Sequence, residues 1–364
     1  MKKITYSKVG DNYDTKDPIK KIAQVAAKKT QVNEQDFKEI TDTRGESAFV
    51  WQQANILMAS VVEGLGTKNL VADEMRKVTG KTYYDIIGYD TVATIINDLI
   101  TVGAKPRVVH AYWAIEDNSW LQDKNRMTDF INGWRDACLF SGATWGGGET
   151  PTLKGIVEKN TVDLGGSAIG VIKNSKNLVT DKKLKTGDRI ILLKSNGINC
   201  NGLSLARAVS KKLKNGYAEK LTNGQMYGEA ILTKTNIYAK LIQDLLLADI
   251  NLHYISNITG HGLRKIMRAR GNFTYVVEKL FEPQQIFLFI QKHSNLSDDE
   301  IYQTLNMGQD YAIFVSSKDV KKTQSIIAKN KFASIDAGYI EKGKRQVVIK
   351  PKSITFKSET LDLR

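Results

Sequence analysis

Apolar residues along the chain fall into short runs and helical stripes that follow one another in turn. "ANILMASVV" (54–62) is an apolar run of strand length. In "DTVATIINDLITVG", Val92, Ile95, Ile96, Leu99 and Ile100 recur at helical spacing, with Asp90 where an N-cap is expected and Gly103 where a C-cap is. "RVVHAYWAI" predicts a strand, and "NRMTDFINGWRDACLF" predicts a second amphipathic helix burying Met127, Phe130, Ile131, Trp134 and Cys138. A glycine run and the strand "VDLGGSAIGVI" close the first half.

A polar, lysine-rich stretch at about 173–187 reads as a crossing between domains. Beyond it come the strand "DRIILLKS", the helix "LSLARAVSKKL" and one long helix through "ILTKTNIYAKLIQDLLLADI". "SDDE" (297–300) has the form of a capping box. "YAIFVS", "VKKTQSIIAKN", "IDAGYI" and "RQVVIK" continue the alternation. The pattern predicts a mixed α/β (α+β) fold in two domains, with mixed sheets carrying helices on one face. The expected plan is an N-terminal arm at 1–45 holding one helix ("PIKKIAQVAAKKT"), a first domain at 46–175, a second α/β domain at 176–350, and a loosely held polar tail at 351–364.

Composition narrows the class. Of 364 residues, 41% are hydrophobic and 25% charged, the balance of a globular protein. No apolar run approaches the ~20 residues that span a bilayer, and "MKKITYSKVGDNYD" has no apolar core behind its lysines, so no secretory signal is expected. Cys138 and Cys200 are the only cysteines and form no CxxC, which fits a reducing cytoplasm and argues against disulfides or a thiolate zinc site. The net charge of +14 attracts polyanions or phosphorylated small molecules alike. Because the lysines are scattered ("DKKLKTGD", "SKKLKNG", "EKGKRQ") and no nucleic-acid-binding motif accompanies them, a phosphorylated small molecule is the expected partner, and neither nucleic acid nor membrane is.

Four segments could carry chemistry. In "VVEGLGTK" (61–68), Gly64 and Gly66 let the backbone approach a ligand, Thr67 offers a hydroxyl, Lys68 could neutralise phosphate, and Glu63 could bind a metal; a turn is the alternative, and the spacing is not that of a Walker A loop. In "INDL" (96–99), Asn97 and Asp98 interrupt an apolar helix face, so Asp98 must meet either solvent or a cation. In "TWGGGETP", the glycines Gly147 and Gly148 are expected to form a site-lining turn that lets Glu149 face the same groove as Asp98. "SNGINCNGLSLAR" (195–207) runs two Asn/Gly loops into a helix start, which suits an anion or an ordinary turn. Three carboxylates, a lysine and glycine loops suit a nucleotide–Mg²⁺ site better than a nucleophilic triad. The histidines show no metal-ligand spacing, and only His261, in a glycine turn, stands apart.

The ordered series "EGLGTK", "IIGYDTVATIINDLITVGAKP", "GGET", "VDLGGSAIGVI", "GDRIILLKSNG…NGLSLAR", "TNIYAKLI", "ISNITGHGLRKIMR" and "LNMG" resembles the AIR synthetase (phosphoribosylformylglycinamidine cyclo-ligase) family. The resemblance runs over about residues 4–350 and implies a homodimer formed through the sheet of an N-terminal ATP-binding domain. It also implies ATP and Mg²⁺ as cofactors, and a cyclo-ligase of purine biosynthesis that phosphorylates an amide oxygen before ring closure. By the same resemblance, Asp98, Lys68 and Glu149 would be catalytic, and Glu63 and Asp98 would address the metal. Gly64, Gly66, Thr67, Lys68, Asp90, Asn97, Gly147 and Gly148 would contact ATP or phosphate, and Asn199, Asn201, Ser204, Asn257, Thr259 and His261 would contact substrate.

This chain departs from the family pattern at identifiable positions. Glu63 stands where the family usually has Asp, Asn199 and Asn257 where it has His, Asn236 where it has Arg, His261 where it has Gly, and Asp310 where it has the last Gly of "NMGxG". Asn cannot titrate as His does, and His261, one turn from Asn257, is a candidate replacement. The departures leave two alternatives open: a relative that phosphorylates another small molecule, or a nucleotide-binding protein reduced in catalysis.

Overall fold

In the computed structural model, which describes residues 3–5, 9–10, 13–32 and 34–361, the apolar runs form two mixed sheets. The first contains β1 (Phe37–Glu39), β2 (Phe49–Gln53), β3 (Ile56–Gly64), β4 (Lys105–Ile115), β5 (Thr144–Glu149) and β6 (Val162–Ile172), in the order β1-β2-β3-β6-β4-β5. All its pairs are antiparallel except β4 with β5. β1 therefore brings residues 37–39, which the sequence assigns to an arm, into the sheet. The glycine run is an edge strand, not a turn: a Cβ on Gly148 would lie 2.2 Å from the Ala111 carbonyl oxygen, so only glycine lets β5 approach β4 this closely.

Before the sheet lies α1 (Tyr13–Lys28), and α2 (Lys68–Thr79), α3 (Tyr84–Leu99) and α4 (Lys124–Ser141) follow within the domain. α3 and α4 pack on each other, α3 covers the β3–β6 face, and Trp113, Phe130 and Trp134 interlock edge-to-face between helix and sheet. Phe130 and Trp134 are fully buried, and burying a side chain such as Phe130 contributes about 1.5–3 kcal/mol through lost apolar exposure. α3 starts earlier than its apolar stripe suggests, so Asp90 is a buried mid-helix residue rather than an N-cap; Gly103 does end the helical segment, with a positive φ of 84°. Ile131 is 40% exposed instead of buried, on the solvent side of α4. The opposite face of the sheet carries Val62, 79% exposed, and Tyr112, 42% exposed.

The second sheet is built from β7 (Arg189–Lys194), β8 (Tyr254–Asn257), β9 (Phe273–Val277), β10 (Gln309–Val315), β11 (Ser334–Lys342), β12 (Gln346–Ile349) and β13 (Ile354–Lys357), in the order β13-β12-β9-β11-β7-β10-β8. Only β12 with β9 is parallel. Its helices are α5 (Leu203–Ser210), α6 (Tyr227–Ile231), α7 (Ala239–Leu247), α8 (Gln285–Ser294), α9 (Asp298–Tyr302) and α10 (Val320–Lys329). Ser297 and Glu300 do form a reciprocal capping box at α9.

Two sequence expectations fail here. The long helix over 231–250 is interrupted between α6 and α7, because residues 233–238 bond to the first domain instead of to their own helix. The tail is not loose up to residue 361: β13 pairs with β12, Leu361 is buried, and Arg264 and Arg345 donate to the Thr360 and Leu361 carbonyls. Residues 362–364 lie outside the described residues. Among the described residues no helix is long and apolar enough to cross a membrane.

Candidate active site

The end of β3 and the last turn of α3 each deliver an acid to one cavity of about 350 Å³ between the two domains. Glu63 and Asp98 form its acidic side. Asn201, Thr259, His261 and Lys265 face them from the second domain, and Lys20 and Gln24 of α1 complete the wall. Asp98 is 8% exposed on a helix that is otherwise core, so its carboxylate needs polar partners. Asn257 at the end of β8 donates Nδ2 to Asp98 Oδ1 at 2.7 Å. Glu63 is the other partner: burial first, then the adjacent Asp98 charge and a hydrogen bond to it, push Glu63 up to about 8. Glu63 therefore holds a proton at neutral pH, in a hydrogen bond to Asp98.

Opposite stands Lys265, buried on the 3₁₀ turn Gly262–Met267. Burial and the neighbouring Arg268 push its ammonium down to about 8, against the pull of Asp98, Glu63 and Glu46. Arg268 is anchored to Ser47 Oγ (3.0 Å) and the Gly45 carbonyl (2.8 Å), with Glu46 at 3.3 Å. His261 is buried among cations and driven down to about 2 by burial first, then by Lys265, Arg264, Lys20 and Arg268. Its imidazole is therefore neutral in the working pH range and meets Asp17 of α1 at 3.2 Å. It offers a hydrogen bond, but not the titrating acid–base pair expected of a replacement histidine.

The donor set fits a hard divalent cation. Two carboxyl groups within hydrogen-bond reach of each other offer hard oxygen ligands to such an ion, and the other polar groups facing them on the cavity wall include Asn201 and Thr259 oxygens. Among the described residues no group of three or more His, Cys, Asp or Glu forms a metal cage, so a cation here would complete its shell with water or a ligand's phosphates.

The remaining predicted residues are placed elsewhere. Lys68 is fully buried, bonded to Asp90 Oδ2 at 2.5 Å and to the Thr233 carbonyl at 2.9 Å. Asp90 Oδ1 accepts from the Thr235 amide at 2.8 Å, and Asn97 clamps the same segment through the Asn236 carbonyl (2.7 Å) and the Tyr238 amide (3.1 Å). In this structure these side chains join the domains and do not line the cavity. Gly64 ends β3 and Gly66 turns the chain at φ 73°, while the Thr67 hydroxyl is buried with no hydrogen-bond partner among the described residues. Gly147, Gly148 and Glu149 sit on β5, beyond β6 and β4 from β3, and the exposed Glu149 carboxylate accepts only a 3.2 Å bond from the Thr150 amide. Ser204 lies in the first turn of α5, outside the cavity wall.

Three of the departures from the family pattern are partners of one another. Asn199 donates to Asp310 Oδ1 at 2.5 Å, Tyr238 donates to Asp310 Oδ2 at 2.6 Å, and Asn236 donates to the Tyr238 hydroxyl at 3.1 Å. Asp310 is buried, which pushes its carboxyl up to about 6 against the hydrogen bonds it accepts. Asn257 and Glu63 likewise share Asp98 as partner. Sequence reasoning missed Glu46, Lys265 and Arg268. The available signal was "GLRKIMR", cations set among apolar residues immediately after a glycine turn.

Comparison with known proteins agrees with this two-domain arrangement. Residues 45–172 match the AIR synthase related protein, N-terminal domain, and residues 185–350 match the AIR synthase related protein, C-terminal domain. A phosphoribosylformylglycinamidine cyclo-ligase from Methanococcus maripaludis is 30% identical over 339 residues, covering 93% of this chain and 92% of the relative. Among solved structures, a chain of a HypE–HypF complex superposes with a TM-score of 0.61 at 17% identity, over 90% of this chain and 95% of that one. AaThiL complexed with AMPPCP and TMP gives 0.58 at 12% identity, over 86% and 90%. At those identities the structural likeness is one of fold. With both domains matched in order and the relative aligned over nearly its whole length, this chain belongs to the AIR synthase family, as a divergent member.

Proposed function

We propose that this protein is an ATP-dependent cyclo-ligase that converts formylglycinamidine ribonucleotide to aminoimidazole ribonucleotide. The observation that carries the reading is the Glu63–Asp98 pair, hydrogen-bonded and set opposite Lys265 in a cavity walled by both family domains. The name of the Methanococcus relative, a phosphoribosylformylglycinamidine cyclo-ligase, supports the substrate assignment. On this reading Glu63 and Asp98 hold Mg²⁺, which when bound neutralises phosphate charge. Asn257 fixes the Asp98 carboxylate, and the Lys265 ammonium supplies positive charge to the phosphoryl group in flight.

The reaction transfers the ATP γ-phosphoryl group to the substrate's formyl-derived amide oxygen and releases ADP. The neighbouring nitrogen then attacks that carbon, the C–O bond breaks, and inorganic phosphate leaves as the imidazole ring closes. The uncovered sheet face bearing Val62 and Tyr112 supports the accompanying proposal of a homodimer formed through this sheet. Mixing the protein with substrate, ATP and Mg²⁺ tests the activity. Aminoimidazole ribonucleotide above the enzyme-free rate is expected, and its absence with active substrate rejects the proposal. The altered cluster around Asp310 favours one second reading, phosphorylation of a different small carboxamide, which the same assay exposes as ATP turnover with that compound only.

A further inference from the structure

A second, larger cavity of about 880 Å³ opens between the domains and shares no lining residue with the Glu63–Asp98 cavity. The first domain contributes α2, the start of α4 and the loop before β6. The second contributes the end of α5 and the following turn at Gly216–Ala218. The basic groups on its wall are Arg76, Lys77, Arg126, Lys159, Arg207 and Lys211, against the acids Asp73 and Glu74.

Several of these cations are already engaged. Arg76 pairs with Asp123 and Lys77 with Glu74 (2.7 Å), so those two charges are locally balanced. Asp73 is already engaged as well, accepting a 2.9 Å bond from the Tyr84 hydroxyl. Arg126, Lys159, Arg207 and Lys211 remain without a carboxylate at ion-pair distance among the described residues. The Arg126 guanidinium is fixed by stacking 4.2 Å from the Trp120 ring centroid and by donating Nη2 to the Trp120 carbonyl, and among the described residues its Nε has no acceptor. A guanidinium held rigid in this way loses little freedom when it bonds a ligand oxygen.

We propose that this cleft is a second ligand site, for a small molecule carrying a phosphate or pyrophosphate group. Planar guanidinium forks match phosphate oxygens, the volume of the cleft is that of a small-molecule pocket, and its concavity is unlike the extended stripe of a nucleic-acid surface. A ligand there touches both domains, so it stabilises their relative placement.

Calorimetry with inorganic pyrophosphate tests the site at low ionic strength, in the wild-type protein and in Lys159→Ala/Lys211→Ala. Both lysines are exposed and outside the cyclo-ligase cavity, so the variant is expected to fold and to keep its basal activity. A control, Lys318→Ala/Lys321→Ala, removes equal charge near α10. The proposal expects at least a tenfold weaker pyrophosphate affinity in the cleft variant and wild-type affinity in the control. Equal weakening in both, no weakening in the cleft variant, or no binding by the wild-type protein overturns it. The outcome is independent of the cyclo-ligase assay, because pyrophosphate binding lost only in the cleft variant supports the site whether or not the ring-closing activity is found.

Discussion

Glu63→Gln tests the proton held by Glu63 through stability rather than turnover. In the folded protein Glu63 titrates at about 8 and in the unfolded chain at its ordinary value of 4.5. Between those values the folded state holds a proton that the unfolded chain has lost, so stability falls as pH rises through that window. The full displacement corresponds to at most about 5 kcal/mol, and cavity water together with coupling to Asp98 reduces the expected loss to about 2–3 kcal/mol. Glu63→Gln removes the titration and keeps the hydrogen bond to Asp98. Urea unfolding at pH 5.5 and 8.0 should show the wild-type protein losing about 2–3 kcal/mol more than the variant. Asp310, raised to about 6, titrates in both proteins and cancels in the comparison. Above pH 8 the sign reverses for Lys265, whose lowered value makes stability rise with pH up to its ordinary 10.5. Millimolar Mg²⁺ at pH 8.0 should recover stability in the wild type and much less in Glu63→Gln. Equal pH slopes in the two proteins would refute the proton on Glu63.

Three further perturbations follow from the fold. Lys68→Met strands the buried Asp90 carboxylate and should cost about 3–5 kcal/mol in urea unfolding, partly restored by adding Asp90→Asn; a loss below about 1 kcal/mol would mean the pair does not tie the domains. Gly148→Ala drives a methyl group into the Ala111 carbonyl, so amide exchange in β5 should accelerate while the second sheet stays protected. Val62→Glu places a charge on the uncovered sheet face and should shift the sedimentation coefficient from that of the proposed dimer to that of a monomer, whereas an unchanged coefficient would reject an interface on this face.

Most of the fold is legible because its signals are local. β6 coincides with "VDLGGSAIGVI", and "SDDE" forms the capping box its spacing implies. The failures occur where distant residues override local pattern. Residues 233–238 leave the helix because Lys68, Asp90 and Asn97 offer better partners for their backbone. The glycine run reads as a turn by composition, and the constraint that makes it a strand is the proximity of Ala111, which no local window contains. At the site, Glu63 and Asp98 are recognisable as acids interrupting apolar segments. Lys265 is not, because its significance depends on facing acids from the other domain. The substitutions at Asn199, Asn236 and Asp310 read in sequence as separate losses, but in space they form one hydrogen-bonded cluster with Tyr238.

The most direct test is single-turnover chemistry with formylglycinamidine ribonucleotide and γ-labelled ATP, in wild-type protein and in Asp98→Asn. The account predicts labelled inorganic phosphate and aminoimidazole ribonucleotide in equal amounts from the wild type, with a loss of at least about 100-fold in rate in Asp98→Asn and no loss of fold. Phosphate release without ring closure, or a wild-type rate in Asp98→Asn, would contradict it.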